Sequence, residues 1–327
     1  MKEVKVLSNN RFYLTDGGLE TDLIFNKGIE LPHFAAFPLI EHPNHSKIVE
    51  SYYREYMEIA KNEKKGFILE SPTWRANTDW GYALGYDQNE LFRINQLAIN
   101  QLKSLKNEYE DDIEEILISG CIGPRGDGYV LSKKMTPEEA EAYHLLQVKA
   151  FKECGADLVT ALTMTYIDEA LGLTIAAMKS HIPVVISFTV ETDGDLPSRE
   201  SIQEAISTID AITNAYPSYY MINCAHPSHF YEKLDRSSHW NSRIRGVRAN
   251  ASCKSHAELD ESTELDAGNK TDLSDWYQKL LHQLPNLMVV GGCCGTDASH
   301  INSICNQLNC QSTCHSNQRK ELSRGYR

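Results

Sequence analysis

Long apolar runs are missing from this sequence. No segment approaches the roughly 18 apolar residues of a membrane-spanning helix, and the opening MKEVKVLSNNRFYLTDGG lacks the apolar core of a secretory signal. Basic charge is also scarce: 32 Lys and Arg stand against 45 Asp and Glu, a formal net charge of −13. Without a basic stripe, nucleic acid and anionic membranes are excluded as partners held through a charged patch. The stretch DGGLETDL after the first apolar run lacks GxGxxG spacing, so no dinucleotide fingerprint is present. These absences imply a cytoplasmic protein whose partners are small molecules; a homo-oligomer is compatible with them.

Cysteine, by contrast, is plentiful. The count of nine is odd and comes without an export signal, so a disulfide framework is not expected. Cys121, Cys154 and Cys253 read as buried, inert thiols. Cys305, Cys310 and Cys314, with His300 and His315 nearby, lie in the polar stretch QLNCQSTCHSNQRK, which has no CxxC knuckle and is not read as a metal cluster. Cys224, Cys293 and Cys294 remain.

Short apolar runs alternate with longer amphipathic segments. Strands are predicted at 11–15, 67–70, 115–120, 157–162, 184–190, 219–224, 244–249 and 287–291, several of them continuously apolar, as strands covered on both faces are. Helical patterns follow each one. The clearest begins at Thr136 as N-cap, with Pro137 at the first helical position and Glu139 closing a capping box, and stops at Gly155. Eight strand–helix repeats with no linker favour a single α/β (β/α)8 TIM barrel over 1–312, followed by a polar tail at 313–327. Residues 250–272 read as a long acidic connection within it.

In such a barrel, function gathers where strands end. Asp16, Glu70, Cys121, Leu162, Glu191, Asn223, Cys224, Asn250, Cys293 and Cys294 fall at those ends. Neighbouring strand residues point to opposite faces, so Cys293 and Cys294 converge only if the backbone leaves β geometry, which the flanking glycines of GGCCG would permit. Alone, GGCCG reads equally well as two packed thiols in a tight turn. With Cys224 at another strand end, the three resemble a catalytic zinc site with one position open.

DGG after the first strand, GCIGPRGDGY after the third, PVVISFTVETDG around the fifth, NC after the sixth and GGCCGT after the eighth resemble the homocysteine S-methyltransferase family over about residues 11–307. The resemblance implies a (β/α)8 barrel whose mouth holds Zn2+ on Cys224, Cys293 and Cys294, with Asp16 and Asn223 lining the substrate site. It implies methyl transfer from a small onium donor, S-methylmethionine or S-adenosylmethionine, to homocysteine, giving methionine. At 327 residues, folate and cobalamin domains are not expected.

One position departs from the pattern. Family members that bind homocysteine usually carry a glutamate at the end of the fourth strand, where it holds the amino group; here the matching residue is Leu162. Either Glu70 supplies the carboxylate from the second strand, or the pocket is remade for another thiol, with Arg75 or Arg125 on its carboxylate. Trp74, Trp80, Tyr82 and Tyr86 read as packing residues rather than an aromatic box for the donor. His226 reads as a helix-start residue. The rivals to methyl transfer are a zinc barrel that demethylates or hydrolyses another substrate, and a zinc- or thiol-binding protein without turnover.

Overall fold

A computed structural model describes residues 6–8, 11–131 and 133–309. Eight parallel strands close into one barrel in chain order: β1 (Tyr13–Leu14), β2 (Gly66–Glu70), β3 (Ile116–Ile122), β4 (Leu158–Met164), β5 (Val184–Phe188), β6 (Tyr219–Asn223), β7 (Ile244–Ala249) and β8 (Val289–Gly292). β8 pairs back onto β1, which closes the ring. All eight predicted strands are present. β1 is shorter than RFYLT suggests, and β4 runs past Leu162 to Met164 through a register shift after Ala161. The tail at 313–327, and Cys310, Cys314 and His315, lie outside the described residues.

Helices fill the outer ring where the amphipathic segments fall: Pro43–Asn62, Gln88–Tyr109, Pro137–Glu153, Ile167–Lys179, Ile202–Thr213, Lys270–Gln283 and 298–309. Thr136 accepts from the backbone N–H of Glu139, whose side chain answers the Thr136 N–H, so the expected capping box forms. The segment PSHFYEKLD gives only Pro227–Phe230 and a 3-10 turn, Tyr231–Lys233. The acidic connection at 250–272 includes a short helix, His256–Asp260. No helix among the described residues is long and apolar enough to cross a membrane.

Strand alternation sorts the side chains. Outward positions such as Phe67, Leu69, Ile186, Ile222, Val247 and Val290 pack with the helices in the main core. Tyr13, Ile68, Leu158, Val185, Tyr219, Met221 and Val289 form a separate apolar cluster that fills the lower barrel. One inward step higher, β2, β4, β5 and β6 carry Glu70, Thr160, Ser187 and Asn223, and β7 adds Arg248 above Gly246, all buried. The interior therefore changes from apolar to polar and charged within one strand repeat, immediately beneath the mouth.

Candidate active site

Cys224 follows β6 with φ 54°, a left-handed conformation uncommon for a residue with a Cβ. Cys293 and Cys294 follow β8, and Gly295 takes φ 79°. The role expected of the preceding glycines is corrected: Gly291 and Gly292 do not have positive φ. They permit close approach instead, since a Cβ on Gly291 would collide with Thr15 and one on Gly292 with Thr296. The three Sγ atoms lie within 4.8 Å of one another. Cys224 and Cys294 stand 3.8 Å apart, Sγ to Sγ, which matches the edge of about 3.8 Å for a tetrahedron with Zn–S bonds of about 2.3 Å.

Cys224 and Cys293 are joined as a disulfide, Cα to Cα 5.3 Å. No disulfide was expected from the odd cysteine count; the pair arises because two strand ends aim their thiols at one point. It is not a framework bridge, and its reduction frees both sulfurs to ligate. Burial pushes the Cys294 thiol up to about 11, against the opposing hydrogen bond from Tyr129. Only a cation there would hold it as a thiolate at neutral pH, so the donor set fits a metal. The Tyr129 hydroxyl lies 3.4 Å from Cys294 Sγ and 3.5 Å from Cys224 Sγ, and its ring stacks on His256 at 4.0 Å. His256 Nε2 meets the Cys224 carbonyl at 2.7 Å.

Asn223 ties the strand tops together. Its Oδ1 accepts from the Thr163 N–H at 2.9 Å and from the Ser187 hydroxyl at 2.6 Å, and its Nδ2 donates to Thr163 Oγ1 at 2.9 Å. Thr163 thereby sits at φ 63°, a strained conformation for a β-branched residue.

A small inner cavity of about 70 Å³ brings Asp16, Glu70, Leu162, Asn223, Arg248 and the three cysteines together. Arg248 Nη2 stands 2.8 Å from Asp16 Oδ1, and the Tyr52 hydroxyl donates to Asp16 Oδ2 at 3.1 Å. Burial raises the Asp16 carboxyl above its ordinary range, with Arg248 opposing. Glu70 is pushed up to about 7 by burial, again opposed by Arg248 and by the Ser119 and Thr160 hydroxyls. Glu70 Oε2 is buried without a partner.

A larger cavity of about 340 Å³ lies outside it, between the loops after β1, β3 and β7, and Cys294 lines both. Arg75 belongs to this outer cavity. Its guanidinium is sandwiched between Trp74 at 4.3 Å and Trp80 at 4.0 Å, and Nη1 donates to the Gly126 carbonyl at 2.8 Å. The two indoles thus hold an arginine; Tyr86 packs on Phe37, and Tyr82 is exposed. Arg125 pairs with Asp79 at 2.7 Å, away from both cavities.

Among the remaining residues, His226 caps the Pro227–Phe230 turn by accepting from the Ser228 N–H. Cys121 and Cys305 are buried, Cys154 partly so; Cys253 is exposed, which corrects its reading as a core thiol because it lies on the β7 connection. Sequence reasoning missed Arg248, Tyr129 and His256. Arg248 was within reach: in IRGVRA, period-two alternation puts Gly246 and Arg248 on the inward face. Tyr129 and His256 gave no local signal, since they meet only through two long connections.

The sequence profile described as Homocysteine S-methyltransferase matches residues 13–308. "Homocysteine S-methyltransferase 1" of Arabidopsis thaliana is 23% identical, covering 90% of this chain and 93% of its own. Its namesake in Brassica oleracea var. italica is 22% identical with the same coverage. Among solved structures, the homocysteine methyltransferase MmuM of Escherichia coli, in its metallated form, superposes with a TM-score of 0.71 at 18% identity, over 91% of this chain and 97% of that one. Fold and site thus define a methyltransferase barrel with a thiol-lined mouth. The chain belongs to the homocysteine S-methyltransferase family.

Proposed function

We propose that this protein is a zinc-dependent S-methyltransferase that moves a methyl group from a small onium donor, S-methylmethionine or S-adenosylmethionine, to homocysteine, with methionine as product. The observation that most supports this reading is the convergence of Cys224, Cys293 and Cys294 within 4.8 Å at the barrel mouth. Bound by the three reduced thiols, zinc would supply the Lewis acid that keeps an incoming thiol deprotonated at neutral pH.

The chain's own groups would position the substrates. Glu70 accepts the ammonium of homocysteine, replacing the carboxylate absent at Leu162, while Leu162 offers apolar surface to the methylenes. Asp16 and Asn223 border the same cavity, and the hydrogen bonds of Asn223 fix its shape. In the outer cavity, Asp260 and Glu264 favour a cationic donor, and Arg75, which pairs with Asp127 at 3.5 Å, offers the rest of its guanidinium to the donor's carboxylate. The acceptor sulfur forms a bond to the methyl carbon as the bond from that carbon to the donor's onium sulfur breaks. The departing sulfur takes the electron pair and leaves as a neutral sulfide, so no general acid is needed.

The test is turnover of homocysteine by reduced, zinc-loaded protein with each methyl-labelled donor, followed by mass spectrometry. Labelled methionine from at least one donor is expected; none across the panel overturns the reading. Calorimetry on Glu70→Gln should show homocysteine binding about 30-fold weaker, from the loss of roughly 2 kcal/mol in a charged hydrogen bond. Unchanged affinity would remove Glu70 from this role.

A further inference from the structure

The geometry points to Arg248 as the residue that reads the carboxylate of the thiol substrate, so that the inner cavity selects an α-amino-acid thiol. This rests on the inner cavity being the thiol pocket proposed above.

Arg248 occupies an inward position of β7, only 5% exposed, in the same layer as Glu70. Three contacts fix its plane. Nε donates to the Gly292 carbonyl at 3.0 Å, Nη2 donates to the Gly17 carbonyl at 3.1 Å, and Nη2 also stands 2.8 Å from Asp16 Oδ1. The guanidinium is therefore clamped to the strand ends of β1 and β8, the latter leading directly into Cys293. What remains is Nη1, which is buried with no hydrogen-bond partner. An orphaned charged donor in a protein interior is costly, and a ligand that meets it relieves the cost.

Glu70 Oε2 is orphaned and buried on the same cavity. Arg248 Nη1 and Glu70 Oε2, beside three sulfurs, match the charge pattern of an amino acid that carries a thiol. Its carboxylate would meet Arg248, its ammonium Glu70, and its sulfur would reach the cysteine cluster. A thiol lacking the carboxylate leaves Nη1 unpaired, and the pocket discriminates against it for that reason.

Calorimetric titration of reduced, zinc-loaded protein with homocysteine and with its decarboxylated analogue, an aminopropanethiol, tests this. Wild type should bind the analogue about 100-fold more weakly. Arg248→Lys keeps a cation beside Asp16 but has no second nitrogen to offer. In that variant homocysteine should weaken about 100-fold while the analogue changes less than about threefold, closing the gap. Where the lysine variant does not fold, the paired change Asp16→Asn with Arg248→Gln removes both charges together, and the same closure is expected. A purely structural arginine would leave the gap between the two thiols intact, and that result overturns the assignment. Equal binding of both thiols by wild type also overturns it. If zinc-replete wild type binds neither thiol, the thiol-pocket reading itself fails and the role of Arg248 falls with it.

Discussion

On the β6 and β8 side of the mouth, three sulfurs are placed by backbone conformation: Cys224 in the left-handed region, Gly295 turning the chain after Cys294, and Gly291 and Gly292 letting β8 approach Thr15 and Thr296. On the β1, β2 and β7 side, Asp16, Glu70 and Arg248 sit on ordinary strand ends and are held by one another's charge. The sulfur side depends on dihedrals that few residues adopt. The charged side depends on a balance of signs that any one substitution disturbs. Asn223 stands between them, one residue before Cys224 and hydrogen-bonded to the strained Thr163 on β4.

The largest effect is expected on the sulfur side. Cys224→Ser, Cys293→Ser and Cys294→Ser should each reduce zinc, measured by elemental analysis after reduction, to less than about a tenth of an equivalent, because a two-thiol site lacks the ligands zinc requires. Full zinc in any one variant removes that residue from the ligand set. Next comes the link between the sides. Asn223→Ala deletes three buried hydrogen bonds and should cost about 2–4 kcal/mol in urea denaturation. A loss below about 0.5 kcal/mol would show that the two sides stand independently.

The charged side is probed by pH. Glu70 has a folded pKa of about 7, raised from 4.5 by burial, so between those values the native state binds more protons than the unfolded chain. Stability contributed by neutral Glu70 is therefore present at low pH and lost as pH rises through about 7. The difference between wild type and Glu70→Gln isolates this group: in metal-free protein, wild type should fall relative to the variant by about 1–3 kcal/mol from pH 4.5 to 7. Parallel curves would show that Glu70 is ionised throughout. The smallest effect belongs to the scaffold, remote from both sides. Thr136→Ala breaks the capping box and should cost about 1 kcal/mol, with zinc content unchanged.

Those outcomes follow the line along which this molecule could be read from its sequence. The barrel was legible because eight apolar runs and their amphipathic partners repeat without a break, and the Thr136 cap because its signals are adjacent in the chain. The three cysteines were legible because GGCCG and NC are local and chemically unusual. The disulfide was not, since it depends on how closely residues 69 apart in sequence approach. The Asp16–Arg248 pair joins the ends of β1 and β7 over the top of β8, and no local pattern announces a partner so distant in sequence. Thr163 offered no clue either: its positive φ is imposed by Asn223, 60 residues later.

The apolar cluster of Tyr13, Ile68, Leu158, Val185, Tyr219, Met221 and Val289 has an electrical consequence for the site above it. It is an insulating floor. Field lines from Asp16, Glu70 and Arg248 find little to polarise below them and spread upward instead, through the cavity where the sulfurs and the substrate meet. A change of one charge at Glu70 is therefore felt at Cys121 and Arg248 far more than the same change would be in water.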